Sequence, residues 1–451
     1  MKRISTSFLL IIFLFTCVCC ATDNVDSSGM ENNPLSRPII VEDRNNTDSI
    51  HNDNIITGSN DEAVDDDVAG DITDNAPDNI VSDIIAVEIH NIRDFSQEMS
   101  SILDVIAENF NAASISLAYF EGEHFFLTYQ YGFADKSNNR FVDVNTKFRV
   151  ASLSKLITAI IIMRLIEYEV LSLDEDISDY FNFHVRNPDF PNNPITIRML
   201  LQHTSSIVDS DDFRTSRFSY EASTLSTSDL LKKRSSFSNR VPGTRYSYSN
   251  FGIAVLGSIC ELVTGQSFDT LARKLLFEPM GIDAAFVPGN LSDTSNIAVI
   301  YNENHGVSRS VAAELRVGES PVLGHSHHLP QGNLTISAID YAQILAMLVN
   351  GGIFNDIEIL SEESVKEIHN ANVNAGRYNQ GFTVRYTESG FMSSNIFWHT
   401  GSMYGEFTQF IYCLETSRGI VAVTTGKAGE RDSNRMIIVC NKLSEPFWNM
   451  R

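Results

Sequence analysis

The sequence predicts a mixed α/β (α+β) fold: a mixed, mainly antiparallel sheet flanked by helices, with an all-helical domain inserted into it. Two observations predict it. Strand-like apolar runs occur at both ends of the globular region, and helical periods fill its centre. A sheet built from the two chain ends accommodates this order, because the central helices can then form one insertion.

The elements follow from the periodicity of apolar side chains. Helical periods predict a helix at residues 95–110, and alternating apolar residues predict a hairpin at 114–120 and 125–131. Central helices are predicted at 155–168, 197–203, 251–263 and 268–277, then at 338–349 and 362–369. Strands at 382–386, 407–413 and 420–424 and a helix at 435–443 complete the chain.

The N-terminal region predicts export. Lys2 and Arg3 precede a short apolar run at residues 8–15, which is typical of a signal peptide. Cleavage after Ala21 would release a secreted protein, whereas lipid attachment at Cys20 would tether it to a membrane. We predict an export signal at 1–21, an acidic disordered linker at 22–83 and a hydrolase domain at 84–451. Its α/β part covers about 84–150 and 330–451, and its helical part covers about 151–329.

Charge and cysteine content exclude several classes of protein. The formal net charge is -24, and the linker holds over half of that excess. Because no basic stripe is present, nucleic acid is not expected as a partner. Beyond the signal only Cys260, Cys413 and Cys440 remain, which is no disulfide framework. We expect Cys260 and Cys413 to be small, buried hydrophobic residues, although one pair of the three cysteines could form a disulfide after export.

The first chemical motif is Ser152-Leu153-Ser154-Lys155, at the start of an apolar helix. Three-residue spacing places Ser152 and Lys155 on one helical face. A desolvated lysine can accept the proton of a serine hydroxyl, which makes that hydroxyl a nucleophile. The alternative is that Ser152 or Ser154 only caps the helix while Lys155 is solvated. Lys155 is, however, the only lysine of the chain with serine three positions before it.

The second motif is Tyr248-Ser249-Asn250, which follows a Pro-Gly turn and leads into a helix. In extended backbone these two outer side chains point the same way. Tyr248 can relay a proton to a leaving group, and Asn250 can donate to a substrate carbonyl while orienting Lys155. Tyr180-Phe181-Asn182 has the same spacing, and Asn250 could instead cap the following helix.

The third motif is the strand-like His399-Thr400-Gly401-Ser402. Glycine in such a strand permits a close approach of a ligand to the backbone. We expect the strand to bind an extended peptide, with the N–H groups of Ser152 and Ser402 forming an oxyanion hole. His399 would supply a proton donor or partial charge. Alternatively, His399 is a satisfied polar residue and Gly401 only opens a turn.

In the order Ser-x-x-Lys, Tyr-x-Asn, His-Thr-Gly, these motifs resemble the serine beta-lactamase and D,D-peptidase superfamily, in its class C beta-lactamase-related branch. The stretches at 200–206, 248–265 and 332–352 are also similar, so the resemblance spans about residues 95–445. It implies the beta-lactamase/transpeptidase-like fold and acyl transfer through a Ser152 acyl-enzyme, with acid/base work by Lys155 and Tyr248. It implies no metal or organic cofactor.

Two departures refine the expected activity. His399 stands where class C beta-lactamases usually carry lysine, and this is similar to D,D-carboxypeptidases and D-amino-acid peptidases. Ser206 replaces a glycine that commonly follows His-Thr-Ser in these relatives. We expect an extracytoplasmic hydrolase of D-amino-acid peptides, amides or esters, with peptidoglycan-derived peptides among its substrates. A true class C beta-lactamase and a non-catalytic penicillin-binding sensor or scaffold protein are the alternatives.

One histidine cluster suggests a different chemistry. Gly324-His325-Ser326-His327-His328 carries three imidazoles, which invites a zinc site. No carboxylate or cysteine accompanies them at ligand spacing, so no metal site is predicted.

Overall fold

The computed structural model describes residues 92–94, 96–216, 225–325, 327–426 and 429–448. The predicted export signal, the lipidation site at Cys20 and the acidic linker lie outside the described residues. The division of residues 84–451 into an α/β part and a helical part stays a prediction.

Sixteen strands are described, most of them in one ten-stranded sheet. They are β1 Ile92–Asp94, β2 Ala112–Glu121, β3 Phe125–Asp135, β4 Arg140–Phe141, β5 Phe148–Arg149, β6 Ile300–Tyr301, β7 Val307–Arg309, β8 Thr335–Ile336, β9 Ile353–Phe354, β10 Ile357–Glu358, β11 Val373–Asn374, β12 Asn379–Gln380, β13 Arg385–Thr387, β14 Ile396–Met403, β15 Glu406–Cys413 and β16 Arg418–Gly426.

The large sheet has the order β1-β3-β2-β16-β15-β14-β13-β12-β11, and β4 pairs with β3. Its pairs are antiparallel apart from the parallel pair β1 and β3. The pair β2 and β16 joins the two ends of the region, with Ala118 opposite Val421. The mixed sheet made from both chain ends is therefore confirmed.

Eleven α-helices lie in the described residues. They are α1 Gln97–Asn109, α2 Ser154–Glu167, α3 Ile197–Leu201, α4 Asp211–Ser216, α5 Thr227–Leu231, α6 Asn250–Thr264, α7 Phe268–Ala272, α8 Val311–Glu314, α9 Ala338–Val349, α10 Glu362–His369 and α11 Ile438–Trp448. A π-helical turn, Arg273–Phe277, continues α7. No single described helix is long and apolar enough to cross a membrane, and the pair α6 and α7 reaches that length only across an 86° bend.

Helices cover both faces of the sheet. On one face α1 and α11 pack through Leu103 and Leu443 against Ile115 and Trp398, all buried. On the other face α9 packs against β2 and β16. The second core continues from α9 into α2 and α6, where almost every apolar side chain is buried. The start of α2 is thereby fixed beside the sheet, and this places the candidate site.

Several local expectations differ from the structure. The predicted strand at 382–386 begins only at Arg385, because Thr383 has a left-handed backbone (φ +57°) and bonds to the carbonyl oxygens of Lys155 and Phe382. The helix predicted at 197–203 ends at Leu201, since His203 is also left-handed (φ +57°). The central region carries the short ribbon β6 and β7 besides its helices. All three cysteines of the described region are buried and free.

Candidate active site

Ser152 lies in a 3-10 turn, Ala151–Leu153, immediately before α2. Ala151 has φ +47°, a conformation that non-glycine residues rarely adopt. Ser154 holds this turn: its hydroxyl donates to the Ala151 carbonyl at 2.6 Å and accepts the N–H of Leu334 at 3.0 Å. The N-cap of α2 is Leu153, and no side chain caps it. Ser152 is therefore not a helix cap, and its hydroxyl is available for chemistry.

Two proton-carrying side chains converge on this hydroxyl. Lys155 Nζ lies 3.3 Å from Ser152 Oγ and also donates to the carbonyl oxygen of Gln331. The hydroxyl of Tyr248 lies 3.1 Å from the same Oγ. Lys155 Nζ is 5.2 Å from the centre of the Tyr248 ring, so the three groups form one cluster. Lys155 is fully buried, which contradicts the solvated alternative.

At Gly401, strand β14 approaches the 3-10 turn that carries Ser152. A Cβ at this position would lie 2.3 Å from Thr408 Oγ1, 2.7 Å from the Val150 oxygen and 3.0 Å from the Ser152 nitrogen, so only glycine fits. β13 pairs with β14 at residues 396–398. In the described part of the chain, residues 399–403 consequently have no strand partner on that side. Ser402 is exposed there, and the oxyanion hole shared by Ser152 and Ser402 stays a prediction.

Asn250 occupies the first turn of α6, and the cap of that helix is Ser249. The Asn250 amide donates to Asp209 Oδ2 at 2.7 Å, and Asp209 Oδ1 accepts the N–H of Phe251 at 2.9 Å. In the described residues Lys155 is oriented by Gln331 and Ser152, not by Asn250 as the sequence suggested. Asp209 thus fixes the side chain of Asn250.

His399 is buried on β14, and its ring stacks against that of Tyr248 with 6.2 Å between centroids. Neither ring nitrogen has a hydrogen-bond partner among the described residues, so His399 is not a satisfied polar residue. Burial, with the charges of Arg385 and Lys155, lowers the pKa of His399 well below its ordinary 6.5. His399 is therefore neutral near pH 7 and can offer one N–H, not a positive charge.

Two arginines that the motifs did not indicate reach Thr400. Arg385 and Arg431 each direct Nη1 at the Thr400 hydroxyl, at 3.4 and 2.9 Å. The Arg385 guanidinium also lies 4.9 Å from the ring centres of Tyr378 and Trp398. Two cations therefore border this strand at Thr400, where an anionic group would be stabilised.

The histidine cluster at 324–328 does not form a metal centre in the described residues. His327 Nε2 bonds to the Ser216 hydroxyl at 3.0 Å, and His328 Nε2 bonds to the Gly318 oxygen at 3.0 Å. Within the described ranges, no three histidine, cysteine or acidic side chains come together in a way that could hold a metal ion. Tyr180, the alternative to Tyr248, bonds to Glu175 instead of the site.

Comparisons with known proteins show what the chain is similar to. A family model described as Beta-lactamase matches residues 103–439. Penicillin-binding protein 4* of Bacillus subtilis (strain 168) is 27% identical over 165 residues, which are 36% of this chain and 35% of that protein. The chain thus spans about a third of that relative's length.

Solved structures share the fold. D-amino acid amidase from Ochrobactrum anthropi SV3, complexed with L-phenylalanine, has a TM-score of 0.60 and 22% identity, covering 78% of this chain and 97% of that one. A class C beta lactamase from Rhodobacter sphaeroides has a TM-score of 0.60 and 16% identity, covering 78% and 100%. These likenesses confirm the predicted fold class.

Proposed function

Because the chain belongs to the Beta-lactamase family, we propose that it is an exported serine hydrolase that forms an acyl-enzyme at Ser152. The observation that supports this proposal most strongly is that Lys155 Nζ and the Tyr248 hydroxyl lie 3.3 and 3.1 Å from Ser152 Oγ. These two groups are within reach of the serine proton, as general acid/base catalysis requires.

The reaction has two stages. Ser152 Oγ attacks the substrate carbonyl carbon while one group, either the unprotonated amine of Lys155 or the phenolate of Tyr248, takes up its proton, and the N–H groups of Ser152 and Ser402 stabilise the oxyanion. The bond from carbonyl carbon to the leaving group breaks, and Tyr248 returns a proton to that group. Water then attacks the ester, which releases the acid and restores the Ser152 hydroxyl.

The substrate class follows from the charges around Thr400. Arg385 and Arg431 suit a carboxylate one residue beyond the scissile bond, as at the C-terminus of a peptide. We therefore propose D-amino-acid peptides with a free C-terminal carboxylate, including peptidoglycan-derived ones, as preferred acyl donors. The neutral His399, in the place of a lysine, supports peptidase action over antibiotic hydrolysis.

The test is time-resolved intact-mass analysis of the full chain with a fluorescent penicillin, together with turnover of a peptide that ends in D-Ala-D-Ala. Ser152→Ala should abolish the adduct, and Ser101→Ala, an exposed serine of α1, is the matched control. An adduct with peptide turnover supports the proposal. An adduct with rapid penicillin turnover instead indicates a true beta-lactamase. A stable adduct without turnover indicates a penicillin-binding sensor, and no adduct and no turnover indicate a non-catalytic scaffold protein.

Carboxylate recognition has its own test. Arg385→Gln should raise KM at least about tenfold for a free-carboxylate peptide, because a charge-assisted hydrogen bond is lost. The same peptide with a C-terminal amide should be nearly unaffected. Arg198→Gln is the control, since Arg198 packs over Phe382 but binds Asp174 and Glu367. Equal losses for both peptides would contradict the assignment.

Export is supported by the charged and apolar order of the first residues. The mature N-terminus and its mass, measured on protein from the native host, would test it. A free N-terminus after Ala21 indicates secretion, a lipid on Cys20 indicates a membrane anchor, and an uncleaved Met1 would contradict both.

A further inference from the structure

His203 is a buried residue of the loop after α3, and the motifs assign it no role. Only 2% of its surface is exposed. Its backbone ties this loop to the segment that carries Tyr248, since the Ser247 N–H donates to the His203 oxygen at 2.8 Å. Its backbone has a left-handed φ of +57°, a conformation in which histidine and asparagine are enriched.

The hydrogen bonding of His203 fixes its tautomer. The N–H of Ser249 donates to Nδ1 at 3.3 Å, so Nδ1 is unprotonated and the single proton lies on Nε2. Within the described residues the buried Nε2 has no partner. Burial, and then the charges of Lys155 and Arg385, lower the pKa of His203 well below 6.5. The imidazole is therefore neutral at the pH of the reaction.

The ring of His203 supports the ring of Tyr248. Their centroids are 4.6 Å apart at an interplanar angle of 39°. Tyr246 meets the same imidazole edge-on, with centroids 5.9 Å apart. The second neutral imidazole, that of His399, stacks on the Tyr248 ring with centroids 6.2 Å apart. Tyr248 thus contacts two uncharged imidazoles, and its hydroxyl donates to Ser152 Oγ at 3.1 Å.

We propose that His203 is a positioning residue that keeps the Tyr248 hydroxyl in line with Ser152 during acylation. This role rests on the proposed acyl-enzyme chemistry. The imidazole, tilted by 39° against the Tyr248 ring, sets the position of the phenol, while the hydrogen bond from the Ser249 N–H to Nδ1 sets the orientation of the imidazole. Because the imidazole is neutral, it contacts Tyr248 without adding a positive charge to the site.

The experiment is a double-mutant cycle on the full chain. The acylation rate with a fluorescent penicillin is measured for wild type, His203→Asn, Tyr248→Phe and the double variant. Asparagine tolerates the left-handed backbone and keeps an acceptor, but it lacks the ring. We expect a loss of about tenfold or more in the wild-type background. In the Tyr248→Phe background the loss should be under about twofold, because His203 acts through the Tyr248 hydroxyl.

Equal losses in the two backgrounds would overturn the role and leave the proposed function intact. No serine-dependent adduct in the wild type would overturn both. His369→Asn is the matched control: His369 also packs on an aromatic ring at 4.6 Å, that of Phe397, and bonds to a tyrosine hydroxyl, that of Tyr412 at 2.7 Å. His369→Asn should lower the free energy of unfolding without changing the acylation rate.

Two further measurements distinguish positioning from a merely structural role. His203→Phe restores an aromatic face but removes the acceptor, so it should acylate faster than His203→Asn although it is less stable. The opposite order would overturn the proposal. In wild-type protein labelled with ¹⁵N-histidine, the His203 Nδ1 signal should remain that of an unprotonated nitrogen from about pH 5 to 8. Titration within that range would overturn it even if the variants fail to fold.

Discussion

Gly401→Ala tests whether the close approach of β14 to the nucleophile turn is required. The new methyl group would meet Thr408 Oγ1 at 2.3 Å, the Val150 oxygen at 2.7 Å and the Ser152 nitrogen at 3.0 Å. Ordinary van der Waals contact begins near 3.4 Å, so these gaps must open by about 0.4–1.1 Å. Rotating Thr408 away relieves only the first contact and breaks its 3.0 Å bond to Val150.

The strand and the turn must therefore separate. Overpacking of this kind lowers the free energy of unfolding by about 1–3 kcal/mol. A misplacement of ~1 Å at reacting groups slows a reaction on the order of 10²-fold. We expect Gly401→Ala to show both effects, the first in urea unfolding and the second in the rate of acylation by fluorescent penicillin.

Gly332→Ala is the control on the other side of the same turn. Its Cβ would lie 3.9 Å from the backbone of Ala151, an ordinary contact, so its acylation rate should equal that of wild type. If Gly401→Ala acylates as fast as Gly332→Ala and is as stable, then strand β14 and the turn that carries Ser152 do not separate.

Three further predictions concern stability and proton transfer. Asp209→Asn should lower the free energy of unfolding by about 1–3 kcal/mol, because Phe251 and Asn250 lose a charged acceptor; an unchanged urea midpoint would contradict this. Lys155→Ala should slow acylation roughly 10²–10⁴-fold through loss of a proton acceptor, and stopped-flow labelling at an undiminished rate would exclude that role. Burial raises the pKa of Glu261 to about 7 from its ordinary 4.5. The contribution of the protonated Glu261 carboxyl to the free energy of unfolding is therefore fully present below about pH 4.5 and is lost as the pH rises through about 7. The free energy of unfolding of wild type minus that of Glu261→Gln should fall across this window, and a flat difference would refute the assignment.

Most elements could be predicted because their side chains repeat with the period of their secondary structure. The helices at 338–349 and 362–369 have the predicted bounds, and the strand at 407–413 gains one residue. The failures occur where tertiary contacts determine the backbone. Thr383 leaves the extended conformation to bond with the carbonyl of Lys155, which no local apolar pattern reveals.

Part of the candidate site could be predicted from the sequence for a similar reason. Ser152, Lys155 and Tyr248 carry their chemistry in side chains at motif spacing, and the structure brings them together. The contact of Gln331 with Lys155 could not be predicted, because Gln331 accepts the hydrogen bond from Lys155 through its backbone carbonyl and sequence patterns report only side chains. Asp209 and Arg385 reach the site from loops and strands remote in sequence. Only the fold shows that their charges face it.

The pairing of β2 with β16 has a consequence for how the chain acquires its structure. The hydroxyls of Ser114 and Thr425 bond at 2.7 Å although 311 positions separate them. During synthesis the hairpin of β2 and β3 must wait until residues 418–426 have emerged before its partner strand β16 exists. Contacts of such sequence separation make folding slow, whereas the central helices close mainly local contacts. Between these two events the edge of β2 is exposed, so this is the period in which the nascent chain is most prone to aggregate.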